Sequence, residues 1–102
     1  MIIKIDTLRV VHASPKQLMK DIFDKIDNKE IITWVYDYNE KLSHKGGQYI
    51  DKFYFEYEIE SIPTIIALHL YADLINSYAI SKAIPLLEGM LKKHFGDEIE
   101  IL

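Results

Sequence analysis

The sequence predicts an α+β fold in which a mainly antiparallel sheet carries two helices on one face. The chain has 102 residues, of which 49% are hydrophobic and 27% charged, so we expect a single domain over residues 1–102 with a buried core. Stretches in which apolar and polar residues alternate are interrupted twice by stretches with helical spacing. The order of these stretches is similar in the two halves of the chain, which indicates a repeated unit.

The first unit begins with a strand and a helix. Residues 2–11 are rich in Ile and Val, which favour strands. Ser14 and Pro15 predict a helix start, because a serine hydroxyl accepts from an unpaired N–H of the first turn and proline lacks the N–H that would be unpaired there. Apolar residues then recur at helical spacing up to Asn28, where we expect the helix to stop.

Two strands and a loop are expected in the middle of the chain. In residues 30–39 the side chains again alternate with a period of two, which is typical of a strand. This alternation places on one face Ile32, Trp34, Tyr36 and Tyr38. Residues 41–48 are polar, and Gly46 and Gly47 indicate a hairpin loop in which glycine takes positive φ. Residues 49–60 predict a strand with an aromatic core face and a water-facing side that bears Glu56, Glu58 and Glu60.

The second unit repeats the pattern of the first. Residues 64–72 alternate as a strand would but also fit a helix, and we favour the strand because a turn at Pro63 precedes it. Residues 81–95 predict a helix, which Gly89 weakens in its middle by roughly 1 kcal/mol. Residues 98–102 then close the unit as a strand.

The two helices and their stops align with one another. The aligned pairs are Leu18 with Leu86, Ile22 with Met90, and Asn28 with Gly96. The sequence therefore predicts two pseudo-repeated βαβ units, over about residues 1–40 and 64–102, linked by the strand at 49–60. Two such units compose a ferredoxin-like plait or a close variant of it.

Charge and composition exclude several classes of protein. The net charge is −4, and residues 52–102 carry it, with four basic and eight acidic groups, while residues 1–51 have eight of each. Nucleic-acid binders usually present a basic surface rich in Arg, whereas here 11 of the 12 basic residues are Lys. The absence of cysteine excludes disulfides, thiolate zinc sites and thiol nucleophiles. We expect an intracellular, non-secreted protein without a membrane segment, because no signal-peptide pattern or long apolar run is present.

No motif in the sequence predicts catalysis, a cofactor or a metal. The four histidines have no metal-site spacing. They are His12, His44, His69 and His94. The loop with Gly46 and Gly47 lacks the phosphate-binding pattern, and no serine lies in a nucleophile elbow. The prediction is that the protein is not an enzyme and binds no cofactor, although a site that assembles only in three dimensions is left open.

The character of the whole chain resembles small proteins of the filamentous viruses that infect hyperthermophilic archaea. The shared features are Ile-rich strands, Tyr-rich segments, Lys in place of Arg and no cysteine. The segments concerned are Ile31-Ile32, Ile65-Ile66, Tyr36-Asp37-Tyr38 and Tyr54-Phe55-Glu56-Tyr57. Low-GC bacteria and their phages share much of this style. The resemblance implies a viral role through contacts with other proteins in the host cytoplasm, and it implies no catalytic residues.

The leading hypothesis is a non-enzymatic protein–protein interaction module of unknown role. A protein or peptide partner is expected either in a groove between the repeats or at an open sheet edge, and a homodimer is left open. Aromatic anchors are enriched at interaction hot spots. The candidate partner-binding residues are therefore Trp34, Tyr36, Tyr38 and Tyr54. The alternative is an RNA- or DNA-binding plait whose bases stack on the same aromatic face, which the negative charge disfavours.

Overall fold

The computed structural model describes all residues, Met1–Leu102, and contains one sheet and two α-helices. The elements in chain order are β1 (Ile2–His12), α1 (Pro15–Asp27), β2 (Trp34–Tyr36), β3 (Leu42–His44), β4 (Phe53–Ile59), β5 (Ile65–Asp73), a 3₁₀ turn (Leu74–Asn76), α2 (Ser77–Phe95) and β6 (Ile99–Ile101). The predicted α+β class is confirmed, and so is the strand assignment of the ambiguous stretch after Pro63, which forms β5.

The sheet is six-stranded, antiparallel throughout, and ordered β2-β3-β4-β5-β1-β6. β5 pairs with β1 from Ile65 opposite Val11 to Asp73 opposite Ile2, and it pairs with β4 on its other side. Each helix joins two strands that run parallel to each other and are separated by one antiparallel strand. Helix α1 joins β1 to β4, which flank β5 in the sheet, and β2 and β3 are inserted between α1 and β4. Helix α2 joins β5 to β6, which flank β1.

One core cluster of 20 buried side chains draws on both helices and on one face of the sheet. Cross-strand partners share that face, as Leu8 opposite Leu68 and Phe55 opposite Leu70 do, and all four are buried. The core residues of the helices are Leu18, Met19, Ile22, Ala79, Ala83, Leu87, Met90, Leu91 and Phe95. The opposite face of the sheet, called the open face below, carries the alternate residues of each strand and has no helix over it.

The middle of the chain differs from its sequence-based prediction. The expected polar loop at 41–48 contains β3, because Leu42 is buried opposite Phe55 and fixes a hairpin with β2. The strand expected at 30–39 is only the three residues of β2. No glycine has a positive φ; that conformation occurs instead at Lys29, Glu40 and Asp51.

Both helices begin differently from the expectation. Ser14 precedes α1 as predicted, but its hydroxyl makes no capping hydrogen bond, and only its carbonyl accepts, from Leu18 N–H at 3.0 Å. α2 begins at Ser77 rather than residue 81, so Pro85 lies inside the helix. The earlier start allows Ala79 to join the core, a contact that the local sequence does not reveal.

Replacing Gly89 by alanine should stabilise the protein. Gly89 lies inside α2, and a Cβ at this position would meet no atom within 4 Å. Because alanine has the higher helix propensity and a less flexible unfolded chain, we expect a gain of about 0.5–1 kcal/mol in the free energy of unfolding and a rise of about 2–8 °C in Tm. Gly96→Ala should instead lower Tm, since its Cβ would lie 2.6 Å from the Lys92 carbonyl oxygen. The Tm of each variant is measured by thermal unfolding monitored with circular dichroism. A Tm of Gly89→Ala below that of the wild type would contradict the prediction.

Candidate functional site

The four aromatic residues singled out in the sequence do not lie on one face. Trp34 is 2% exposed and belongs to the core. Tyr36 packs on Phe23 of α1 with ring centroids 4.4 Å apart, so it also faces the helices. Tyr38 lies in the turn after β2 and is 93% exposed, whereas Tyr54 lies on the open face. An aromatic surface that combines all four side chains is therefore not present, because β2 turns its aromatic residues toward the helices.

The outer edge of β2 has unpaired backbone groups. Lys45 N–H donates to the Thr33 carbonyl at 2.9 Å across the β2–β3 hairpin. In an antiparallel pair, the residues whose backbone groups point to the neighbouring strand alternate with those that point away. The N–H and C=O groups of Trp34 and Tyr36 therefore point away from β3, to the side where the sheet has no further strand.

A groove of about 400 Å³ lies beside this edge, between residues 30–34 and helix α2. Its apolar lining is supplied by Ile31, Trp34, Leu86 and Met90. Ile32 is 65% exposed at its margin, and Gly89 lines the α2 side. Since no atom lies within 4 Å of a Cβ built on Gly89, this glycine leaves the groove open. We call this cavity the edge groove.

His44 also lines the edge groove and is held in one orientation. Its Nδ1 accepts a hydrogen bond from Gly46 N–H at 2.9 Å, and its ring meets the Trp34 ring edge-on at a centroid distance of 5.1 Å. A Cβ on Gly46 would lie 2.8 Å from His44 Cε1, so the glycine makes room for the imidazole. Burial lowers the pKa of His44, which keeps the ring neutral at pH 7.

The α2 wall of the edge groove carries Lys93 and His94. Burial lowers the pKa of His94, and the nearby charges of Lys93 and Lys25 lower it further. The carboxylate of Glu30, which also lines the groove, lies 3.6 Å from Lys25 Nζ. Lys93 is exposed and has no carboxylate within ion-pair distance, so it leaves positive charge on this wall.

The open face carries a second cavity, of about 450 Å³. Tyr54 and Tyr71 are cross-strand partners with stacked rings, 5.3 Å between centroids and 11° between planes. Lys41 Nζ lies 4.7 Å from the Tyr54 centroid and 3.5 Å from a Glu56 carboxylate oxygen. Ion pairing and the aromatic face thus occupy the Lys41 ammonium, which limits what it offers to a ligand.

The acidic stripe predicted on β4 lies on the open face, but each of its carboxylates has a basic partner. Glu60 pairs with Arg9 at 2.6 Å, Glu56 with Lys41, and Glu58 with His69 at 3.0 Å. His69 is 9% exposed although no helix covers it, and its Nδ1 shares a hydrogen bond of 2.8 Å with the Thr7 hydroxyl. Since both ring nitrogens are engaged across three strands, this histidine has its hydrogen-bonding groups satisfied within the sheet.

The chain has neither a cluster of metal ligands nor a helix suited to a membrane. No three His, Asp or Glu side chains are grouped so as to hold a metal ion. Neither helix has the length and apolarity needed to cross a membrane. Comparison of the chain with protein-family models, with curated proteins and with solved structures found no match.

Of the residues that line the edge groove, sequence reasoning singles out Trp34 as a candidate for binding but not His44, Gly89 or Lys93. The polar residues around His44 predict a loop and hide β3. In the sequence, Gly89 indicates only a weak point of the helix. The spacing of four between Gly89 and Lys93 places both on one helix face, and this signal could have identified the α2 wall.

The ion pair of Glu58 with His69 predicts a pH dependence of stability. The hydrogen bond to His69 and the charge of the imidazolium hold the pKa of Glu58 below its ordinary value of 4.5. A lowered pKa in the folded state stabilises the protein above pH 4.5, and this contribution is lost as pH falls through the shifted pKa. The urea midpoint of Glu58→Gln should therefore lie below that of the wild type at pH 6, and the difference should shrink below pH 4.5. Glu100→Gln, at an exposed site without an ion pair, should show no such pH-dependent difference, and equal behaviour of the two variants would contradict the prediction.

Proposed function

We propose that this protein is a non-enzymatic interaction module that binds an extended segment of a partner protein as an added strand on β2. The observation that carries the proposal is the outward-facing backbone of Trp34 and Tyr36 beside the edge groove. An added strand gains main-chain hydrogen bonds from such an edge, and a neighbouring pocket selects its side chains. The proposal keeps the partner class expected from the sequence, and Trp34 takes part through its backbone and as the apolar lining of the groove.

The free part of β1 is a poorer acceptor for a strand. β6 covers β1 only near its end, from Val10 to His12, so the preceding residues have an open side. There, however, the Asp6 carboxylate accepts from Thr7 N–H at 2.7 Å, and the register shifts between Lys4 and Asp6. A bulge and an occupied N–H are devices by which proteins protect strand edges. β2 has a regular register with β3 and no such occupied N–H.

The strand connections support the finer fold assignment as well. The strand order β6-β1-β5-β4, with helices between β1 and β4 and between β5 and β6, is the order that a plait would have, which favours this assignment. In this proposal the repeats differ from those expected from the sequence: β4, expected as the linker between them, completes the first repeat, and the β2–β3 hairpin is an insertion that extends the sheet. The insertion would then be what creates the edge groove.

Substitutions in the edge groove should weaken peptide binding without unfolding the protein. A peptide is first selected from a random display library and its Kd is measured by fluorescence polarisation. Gly89→Leu places a side chain in the groove, and Ile32→Glu places a charge at its apolar margin, so each should weaken binding at least about tenfold. Ile62→Glu is the matched control, because Ile62 is 58% exposed in the β4–β5 turn, and its Kd should equal that of the wild type.

The position of the bound peptide is tested by nuclear magnetic resonance. Amide signals of Trp34 and Tyr36 should shift on peptide addition and become protected from hydrogen exchange, since their N–H groups gain an acceptor. Shifts confined to the open face, or a Kd that Gly89→Leu leaves unchanged, would refute strand addition at β2.

The second candidate function is binding of RNA or DNA on the open face, which the stacked pair of Tyr54 and Tyr71 favours. It predicts that a fluorescent single-stranded oligonucleotide binds at 20 mM salt, that the affinity falls steeply by 200 mM, and that Tyr71→Ala weakens it. We expect no binding, because the Glu56–Glu60 stripe lies on the same face and the net charge is −4. Salt-sensitive binding that Tyr71→Ala reduces would reverse the preference between the two functions.

A further inference from the structure

Two of the residues that line the edge groove carry ring N–H groups that meet no acceptor in the protein. Trp34 Nε1 and His44 Nε2 donate to no protein atom, although the two residues are only 2% and 8% exposed. Every fully enclosed polar side-chain atom of the chain has a hydrogen-bond partner. Both N–H groups therefore reach open space, and the edge groove is the cavity that both residues line.

The protonation of His44 is set by its neighbour. Because Nδ1 accepts from Gly46 N–H, the proton of the neutral ring lies on Nε2, which makes this nitrogen a donor. The indole N–H of Trp34 is a donor in every state. Two donors without acceptors, on rings whose centroids lie 5.1 Å apart, suit the oxygen atoms of a ligand. They suit a carboxylate best, since charge-assisted hydrogen bonds are the stronger ones.

The facing wall supplies the opposite charge. Lys93 is exposed on α2, lines the groove and has no carboxylate partner. The neighbouring Lys92 is different, because it pairs with Glu88 at 3.8 Å and does not line the groove. A carboxylate in the edge groove would thus meet neutral donors on one side and one unpaired ammonium on the other. The one acidic residue of the lining, Glu30, is already paired with Lys25.

We propose that the edge groove recognises the C-terminal carboxylate of the bound peptide, held by Trp34 Nε1–H, His44 Nε2–H and the Lys93 ammonium. This inference rests on strand addition at β2. A peptide that pairs antiparallel to β2 has its C-terminal end beside Trp34, the first residue of the strand. The two donors lie at this same end, on Trp34 and on its cross-strand partner His44. Because β2 has only three residues, it pairs with only a short segment of a peptide. A peptide whose chain ends beside Trp34 suits such a short edge.

The carboxylate site can be tested with a small probe. The chain has one tryptophan, so its indole N–H gives a single resonance. This resonance is followed during titration with N-acetyl-leucine and with N-acetyl-leucinamide, which differ only in the carboxylate. We expect the acid to shift the indole signal and to bind about tenfold more tightly than the amide or better. Equal affinities, or an indole signal that the acid leaves unmoved, would overturn the site.

Matched variants separate recognition from folding. Lys93→Gln removes an exposed ammonium from the groove and should bring the acid and the amide to within about threefold of one another, while Lys92→Gln should leave their ratio unchanged. Gly46→Ala, which forces the His44 ring to move, should reduce the acid affinity with no change of charge. The opposite pattern, with Lys92→Gln reducing the ratio and Lys93→Gln not, would refute the role of Lys93.

The selected peptide distinguishes failure of this inference from failure of the proposed function. Its free acid and its C-terminal amide are compared, together with a form in which any internal Glu or Asp is replaced by its amide. Loss of affinity on amidation of the C-terminus supports the inference. If the peptide still binds and shifts Trp34 and Tyr36 but only the internal substitution weakens it, the C-terminal assignment is wrong and strand addition stands. If Gly89→Leu does not weaken the peptide, the proposed function itself is wrong.

Discussion

The pairing of β5 with β1 on one side and β4 on the other is the constraint on which the rest of the structure depends. All residues from Ile66 to Leu70 are buried, although only one face of the sheet carries helices. Ile66, Leu68 and Leu70 contact the core, whereas Ala67 and His69 are covered on the open face by side chains of the flanking strands. A strand buried on both faces anchors the register of its neighbours. A shift by one residue would place His69 in the core and would move the core leucines to the open face.

The sequence could predict those elements whose residues carry a local pattern, and it could not predict those that depend on distant contacts. β1, α1 and β5 have strong local patterns, and the turn at Pro63 was enough to favour a strand in a stretch whose apolar residues also fit a helix. The β2–β3 hairpin was not predictable, because its identity depends on one buried residue, Leu42, and on pairing with distant Phe55. The start of α2 at Ser77 likewise depends on contacts of Ala79 with the core, which local propensity does not contain.

The candidate site shows the same division between local and distant information. Alternation correctly placed Trp34 and Tyr36 on one side of a strand, but alternation does not tell whether that side faces helices or water. Because β2 joins the sheet through β3, the core face of β4 determines the answer, and Trp34 enters the core beside Phe55. The indole is then enclosed by apolar side chains while its N–H has no protein acceptor, a combination that becomes visible only in the folded chain.

A short edge strand beside a helix differs from the open face in how it can discriminate among partners. On the open face the three glutamates of β4 and its end are already paired, so a ligand there must compete with Lys41–Glu56, His69–Glu58 and Arg9–Glu60. In the edge groove the backbone groups of β2, two ring N–H groups and one ammonium have no internal partner. A ligand that satisfies them displaces only water, and a ligand that lacks the matching acceptors leaves buried donors unpaired, which costs more than a missing apolar contact does. Selectivity is therefore expected to come from the edge groove, even though the cavity on the open face is the larger of the two.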